Sequence, residues 1–360
     1  MRRASRQGAL ITICFLLVAG CTADGVGAPA ARTAGASNKA ALPAPRSLLY
    51  LKRSSLRRYD LESGRDRLVR RLGTADVFAA PQGGWLALVQ DQRPPVVGEE
   101  DFAARPQLRL WDPGSGERID LGPGLSPLWD PAGRRIAWLQ PAGPRVCEGE
   151  SCSGLVRLMT LELSTMTKRV LARPGRWALL SWAGDAVLVS DASDLSRTLA
   201  MEPEGRRVLP IAPSDVWGAS PDGDVLLRAT SNGTEVVGLS RGDLRGGNRV
   251  SGLRGILAEG SWSPAGERLA AVELDRDQSG VPRSRIVLLS PSAADAETVP
   301  GSSGAAGPVL WSAAGDAVAF ARPAGPAAGR LEAVLCGLGS EGGCRSFFQW
   351  GQGVSLLTLE

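Results

Sequence analysis

Apolar positions come along this chain in short runs, each cut off by Gly, Pro, Asp, Ser or Asn. Examples are Ser47-Leu-Leu-Tyr-Leu51, Gln107-Leu-Arg-Leu-Trp111, Leu269-Ala-Ala-Val272, Ser284-Arg-Ile-Val-Leu-Leu289 and Val354-Ser-Leu-Leu-Thr-Leu359. Short runs rich in Leu, Val and Ile and bounded by turn residues predict β-strands. A helical reading fails because Gly and Pro interrupt every window long enough to make a helix. Several runs are apolar at nearly every position, which predicts sheets buried on both faces.

One motif recurs between the runs. Its clearest copies are Trp129-Asp-Pro-Ala-Gly-Arg-Arg-Ile-Ala137, Trp262-Ser-Pro-Ala-Gly-Glu-Arg-Leu-Ala270 and Trp311-Ser-Ala-Ala-Gly-Asp-Ala-Val-Ala319. Degenerate copies are Ala219-Ser-Pro-Asp-Gly-Asp-Val-Leu-Leu227, the shortened Trp182-Ala-Gly-Asp-Ala-Val-Leu188, and Ala79-Ala-Pro-Gln-Gly-Gly-Trp-Leu-Ala87. Their glycines, 83, 133, 184, 223, 266 and 315, recur at roughly 40 to 50 residues, the spacing of propeller blades. Each copy predicts a tight hairpin in which Pro presets φ, Gly supplies φ > 0, and an apolar strand leaves the turn. Two more strands follow each motif, as in Ser284–Leu289 and Ala296–Val299 after Gly266, so one repeat holds four strands. Asp112-Pro-Gly-Ser-Gly116 and Ser231-Asn-Gly-Thr234 read as further hairpin turns.

Three strand-like runs, 47–51, 55–59 and 65–69, have no motif strand before them, while 354–359 is a spare strand at the other end. Together they predict one more blade, which closes the ring and removes exposed sheet edges. The fold class is therefore all-β, a β-propeller of seven four-stranded antiparallel blades, with six as the alternative count. The Trp-Ser-Pro-Ala-Gly-Glu-Arg-Leu-Ala motif resembles the WD40-like repeat of TolB-type propellers over most of residues 47–360. Such propellers usually read Trp-Ser-Pro-Asp-Gly, and only Ser220-Pro-Asp-Gly223 keeps that Asp here. The resemblance implies a propeller that works by contact with proteins or envelope components.

Ahead of the first strand the pattern changes. Met1-Arg-Arg-Ala-Ser-Arg6 is cationic, residues 9–19 are apolar, and Gly20-Cys21 follows. That apolar run is too short to span a bilayer and suits a secretory signal. Val18-Ala-Gly-Cys21 resembles the bacterial lipobox, which implies cleavage before Cys21 and lipidation of its thiol. Residues 22–46 hold small, polar and Pro residues that cannot offset their ordering entropy, so they read as a flexible tether. The expected organisation is a lipoprotein signal peptide at 1–20, a lipid-anchored tether at 21–46 and the propeller at 47–360. The expected location is the cell membrane on its extracytoplasmic side, held by the lipid. With Arg far outnumbering Lys and abundant Ala, Gly and Pro, the composition suggests a GC-rich genome, and the resemblance is to actinobacterial lipoproteins that expose a propeller.

Composition narrows the chemistry. The chain has no His, which excludes imidazole-based triads, His-ligated metals and a histidine pH switch. Without Arg2, Arg3 and Arg6 of the signal, 38 basic residues face 37 acidic ones, a balance unlike that of nucleic-acid binders. No nucleic-acid partner, cofactor, catalytic residue or metal ligand is assigned. Of the six cysteines, Cys14 is in the signal and Cys21 is the lipidation site. In an exported protein Cys147 with Cys152 and Cys336 with Cys344 read as two local disulfides, in loops that open on opposite faces. Asp275-Arg-Asp-Gln-Ser-Gly280 matches the start of a Ca²⁺ loop, but position 12 of an EF-hand would be Ile286, so the segment reads as a polar connection. Gly98-Glu-Glu-Asp101 and the Arg pairs at 57/58, 134/135 and 206/207 are assigned no role. Two functions stay open. One is a lipid-anchored interaction module for an unknown protein or envelope partner. The other is a propeller enzyme or small-ligand receptor, such as a lactonase-like hydrolase, with carboxylate-held Ca²⁺ in the central channel. Carboxylates converging on the channel would favour the second, and Arg, Ser and apolar side chains at its mouth the first.

Overall fold

The computed structural model describes residues 45–360 except 91–105, 144–145, 149–150, 231–232, 241–242, 277–281, 291, 293, 326–329, 340–342 and 351–353. Among these residues lie seven four-stranded antiparallel sheets, the blades of one propeller. Blades one to six start from the strands Asp76–Ala79, Leu125–Trp129, Trp177–Ala183, Val216–Ala219, Ile256–Trp262 and Ala306–Trp311. Blade seven combines Val354–Leu359 with Ser47–Lys52, Ser55–Asp60 and Asp66–Arg71. The seven-blade count holds. First strands of neighbouring blades touch one another, as Ala306–Trp311 touches both Ile256–Trp262 and Val354–Leu359, so these strands form the inner ring.

The continuous apolar runs follow from this packing. Along the second strand of blade five, Leu269 and Ala271 pack toward blade four while Ala270 and Val272 pack toward blade six. Alternate side chains thus enter different cores. Each of the seven blade interfaces holds one cluster of buried apolar residues. The fold therefore has no single centre of packing.

The repeated motif joins first strand to second in blades one to six. All six motif glycines take positive φ, between 58° and 78°, a region costly for any residue with a Cβ. The residue after the Trp position closes the turn. Asp130 Oδ1 accepts from the N–H groups of Arg134 and Arg135, at 2.7 and 2.9 Å, and the Ser312 hydroxyl accepts from those of Asp316 and Ala317. In three copies the motif Trp ties blade to blade. The indole N–H groups of Trp129, Trp182 and Trp311 donate to the carbonyls of Phe78, Leu128 and Ser261 on the preceding inner strand, at 3.0, 3.0 and 2.7 Å. A buried indole needs an acceptor, and the neighbouring strand supplies it.

Arg completes the tie in two copies. Arg135 donates to the Gly184 carbonyl at 2.7 Å and lies 4.7 Å from the Trp182 ring centre, so it binds blade two to blade three. Arg268 makes the same approach to Gly315 and Trp311 between blades five and six.

Ring closure follows the sequence expectation. Val354–Leu359 pairs antiparallel with Ser47–Lys52, setting Leu48 against Leu359 and Leu51 against Ser355. The first and second strands of blade seven come from distant parts of the chain, which explains why seven blades carry six motif turns. In place of a turn, Ser47 and Glu360 exchange backbone hydrogen bonds at 3.0 and 2.8 Å, and the Glu360 carboxylate meets the Ser47 hydroxyl and the Arg58 guanidinium. Tyr50, Tyr59, Phe347, Phe348 and Trp350 pack ring against ring along the seam between blades six and seven. Burial and the nearby Asp66 push the Tyr50 phenol up to about 12, so it stays neutral.

Candidate functional site

The inner strands line the central channel, and their side chains decide what chemistry the channel offers. Phe78, Ser126, Ala178, Ile256 and Ser355 are exposed on five different inner strands. Carboxylates occur on only two of the seven, as Asp76 in blade one and Glu259 in blade five, and none of the seven carries Arg or Lys. Glu259 lies against Gly307 of blade six, where a Cβ would overlap the carboxylate. Among the described residues no group of three or more His, Cys, Asp or Glu is placed to hold a metal ion. The channel wall is thus apolar and hydroxylated, with widely spaced charge.

One of the two expected disulfides is present among the described residues. Cys336 and Cys344 form a disulfide joining the third and fourth strands of blade six, Leu331–Gly337 and Cys344–Trp350. Cys336 is fully buried in the core shared with blade five. Cys147 and Cys152 are register partners in a two-stranded hairpin, Val146–Glu148 with Ser151–Ser153. This hairpin is inserted between the second and third strands of blade two. Chain direction alternates along a blade, so the hairpin and the blade-six disulfide loop leave opposite faces. Cys21, and with it the proposed lipidation, lies outside the described residues, as do Cys14 and Gly98–Asp101.

The Ca²⁺-like segment joins the second and third strands of blade five, Leu269–Arg276 and Pro282–Ser290, and 277–281 lies outside the described residues. The Arg pairs resolve into local contacts. Arg57 pairs with Asp66, Arg58 with Glu360, Arg135 with Asp130 and Asp185, and Arg207 with Glu202. Sequence reasoning missed the aromatic seam and the indole ties. The repeated Trp was a visible signal for the ties, but its acceptor is a backbone carbonyl on another blade and leaves no residue-type trace.

The chain is a seven-bladed β-propeller closed by pairing of its last described strand with its first. No family model and no curated protein matches it. Among solved structures it is similar to a prolyl endopeptidase at 16% identity and a TM-score of 0.53, covering 85% of this chain and 47% of that one. It is similar to the β-propeller domain of the Trilobed protease from Pyrococcus furiosus at 9% identity and a TM-score of 0.51, covering 82% and 86%. TolB from Acinetobacter baumannii aligns at 13% identity and a TM-score of 0.45, covering 87% of this chain and 67% of that one. The chain spans about half the length of the prolyl endopeptidase it matches. At these identities the first two likenesses establish the propeller fold. The Trilobed propeller is described as having an open velcro topology, whereas strand pairing closes the ring here.

Proposed function

We propose that this chain is a lipid-anchored, extracytoplasmic propeller that acts as an interaction module, presenting one mouth of its ring to a protein or envelope component, as a TolB-like propeller would. The observation that carries the reading is the composition of the inner ring. Hydrolysis by carboxylate-held Ca²⁺ needs several oxygen ligands converging within about 2.3–2.6 Å of one ion. Seven inner strands that offer Asp76 and Glu259 on different blades give such a site little to build on. Exposed Phe78 and Ile256, with Ser126 and Ser355, offer instead the mixed apolar and hydroxyl surface that protein contacts use.

In this reading Cys21 bears the lipid and residues 22–46 hold the propeller off the membrane. Two measurements test it. Cys21→Ala should abolish acyl labelling and release the protein from membranes, and labelling that persists would end the anchoring claim. A photo-crosslinking residue at Ile256, 58% exposed at the start of an inner strand, should give discrete adducts in intact cells, whereas one at Val208 on an outer strand should not. Equal adducts from both positions, or turnover of lactones or esters that is lost on mutating Asp76 or Glu259, would overturn the module reading.

A further inference from the structure

Blade five, like blade three, has a fourth strand that covers only part of its third. Its fourth strand, Asp295–Thr298, pairs only with Val287–Ser290 of the third strand, leaving the half from Pro282 to Ile286 without a strand on its outer side. Peptide groups bared in this way need partners. Ser302 answers for Ile286: its hydroxyl accepts from the Ile286 N–H at 3.0 Å and donates to the Val299 carbonyl at 2.6 Å. The Gly304 N–H donates to the Ser284 carbonyl. The chain from Val299 to Ser303 thus lies where strand would otherwise run, and a cavity of about 700 Å³ opens above it.

Arginine dominates the walls of this cavity. Arg276, Arg283 and Arg285 come from the second and third strands of blade five, and Arg254 comes from the connection that enters it. Among the described residues two carboxylates stand near these cations. Asp275 lines the cavity, and Glu273 is fully buried behind it. Glu273 is already committed: it accepts from the Arg254 N–H, from the Gly255 N–H at 2.8 Å and from Arg285 Nε at 2.5 Å. That pairing fixes Arg285 in the wall, while Arg254 and Arg276 are exposed to solvent. Gly255 makes the arrangement possible, since a Cβ there would lie 1.9 Å from the Leu274 carbonyl oxygen. The hydroxyls of Ser284, Thr298 and Ser303 stand on the same lining.

We propose that this cleft binds a phosphate-bearing ligand, a phosphoryl dianion gripped by Arg254 and Arg276 with hydroxyl groups beneath it. A cavity of this size matches small-ligand sites, and guanidinium forks suit tetrahedral oxyanions because each can donate two parallel hydrogen bonds. The proposal does not depend on the module reading. Its ligand could be a soluble phosphate ester or the headgroup of an anionic phospholipid, which share this chemistry.

The test uses the full chain, with inorganic pyrophosphate as one probe and phosphatidic acid vesicles, against phosphatidylcholine vesicles, as the other. Saturable binding of either probe should weaken tenfold or more in the Arg254→Gln/Arg276→Gln double variant. Arg197→Gln, which removes an exposed arginine of blade three, should leave it unchanged. Ser303→Glu, placing a carboxylate on the cavity floor, should weaken binding similarly without touching an arginine. Pyrophosphate binding identifies a soluble ester as sufficient, and vesicle binding alone identifies the lipid headgroup. Failure of both probes to bind saturably, or equal loss in Arg197→Gln and the double variant, would overturn the proposal.

Discussion

Deleting residues 353–360 removes the strand that closes the ring and tests whether the propeller is stabilised as a circle or blade by blade. Leu356 and Leu359, 3% and 1% exposed, would be lost from the core between blades six and seven. At about 1.5–3 kcal/mol for each buried leucine, apolar burial alone accounts for about 3–6 kcal/mol. The deletion also strips Ser47–Lys52 of its inner partner and removes the Glu360 contacts to Ser47 and Arg58. Folded domains are stable by about 5–15 kcal/mol in total, so the loss is a large fraction of what is available. Because Val354–Leu359 touches the inner strands of both blade six and blade one, the effect should spread in both directions. Urea titration followed by tryptophan fluorescence should show a midpoint shifted down by at least about 3 kcal/mol in stability, or no cooperative transition at all. Two point variants separate closure from mere shortening. Leu359→Ala should cost about 2–5 kcal/mol, and Ser355→Ala, at an exposed position of the same strand, no more than about 0.5 kcal/mol. A truncated chain that unfolds at the parent midpoint would refute the reasoning.

Three further outcomes follow from the same geometry. Trp311→Phe should cost about 1–3 kcal/mol in denaturation, because the buried indole's bond to the Ser261 carbonyl is lost, and a change within error would show that the ties are incidental. Peptide mapping under non-reducing conditions should recover Cys336 linked to Cys344 and Cys147 linked to Cys152, and Cys336→Ala/Cys344→Ala should lose about 2–3 kcal/mol on the chain-entropy account. The hydrogen bond from Arg322 holds the Glu332 carboxyl below its ordinary value of 4.5, so its contribution is full above that value and disappears as pH falls through the lowered one. Stability measured against pH should accordingly fall less steeply on the acid side in Glu332→Gln than in the parent, and parallel acid limbs would contradict the assignment.

The sequence by itself determined the architecture, because the information for it is local. Gly133, Gly266 and Gly315 must adopt positive φ, Pro131 and Pro264 preset the turns before the first two, and runs such as Leu269–Val272 are too short and too often interrupted to be helical. Counting those turns, and seeing that 354–359 and 47–51 each lacked a partner, was enough for seven blades and a closed ring. The spacing of Cys336 and Cys344 likewise pointed to a bond within one loop. Only the tertiary structure decided what the surfaces are made of. Whether a carboxylate faces the channel depends on which strand lies innermost, and that separates Asp76 and Glu259 by half the ring. The arginine cleft joins residue 254, residues 275–276 and 283–285, and residues 298–303, beside an outer strand that stops early. No periodicity marks that place, since strand ends are set by competition between ladder hydrogen bonds and the Ser302 hydroxyl that replaces them. Local propensity writes the turns and strands, and the ring brings distant charges together through packing that each segment alone does not encode.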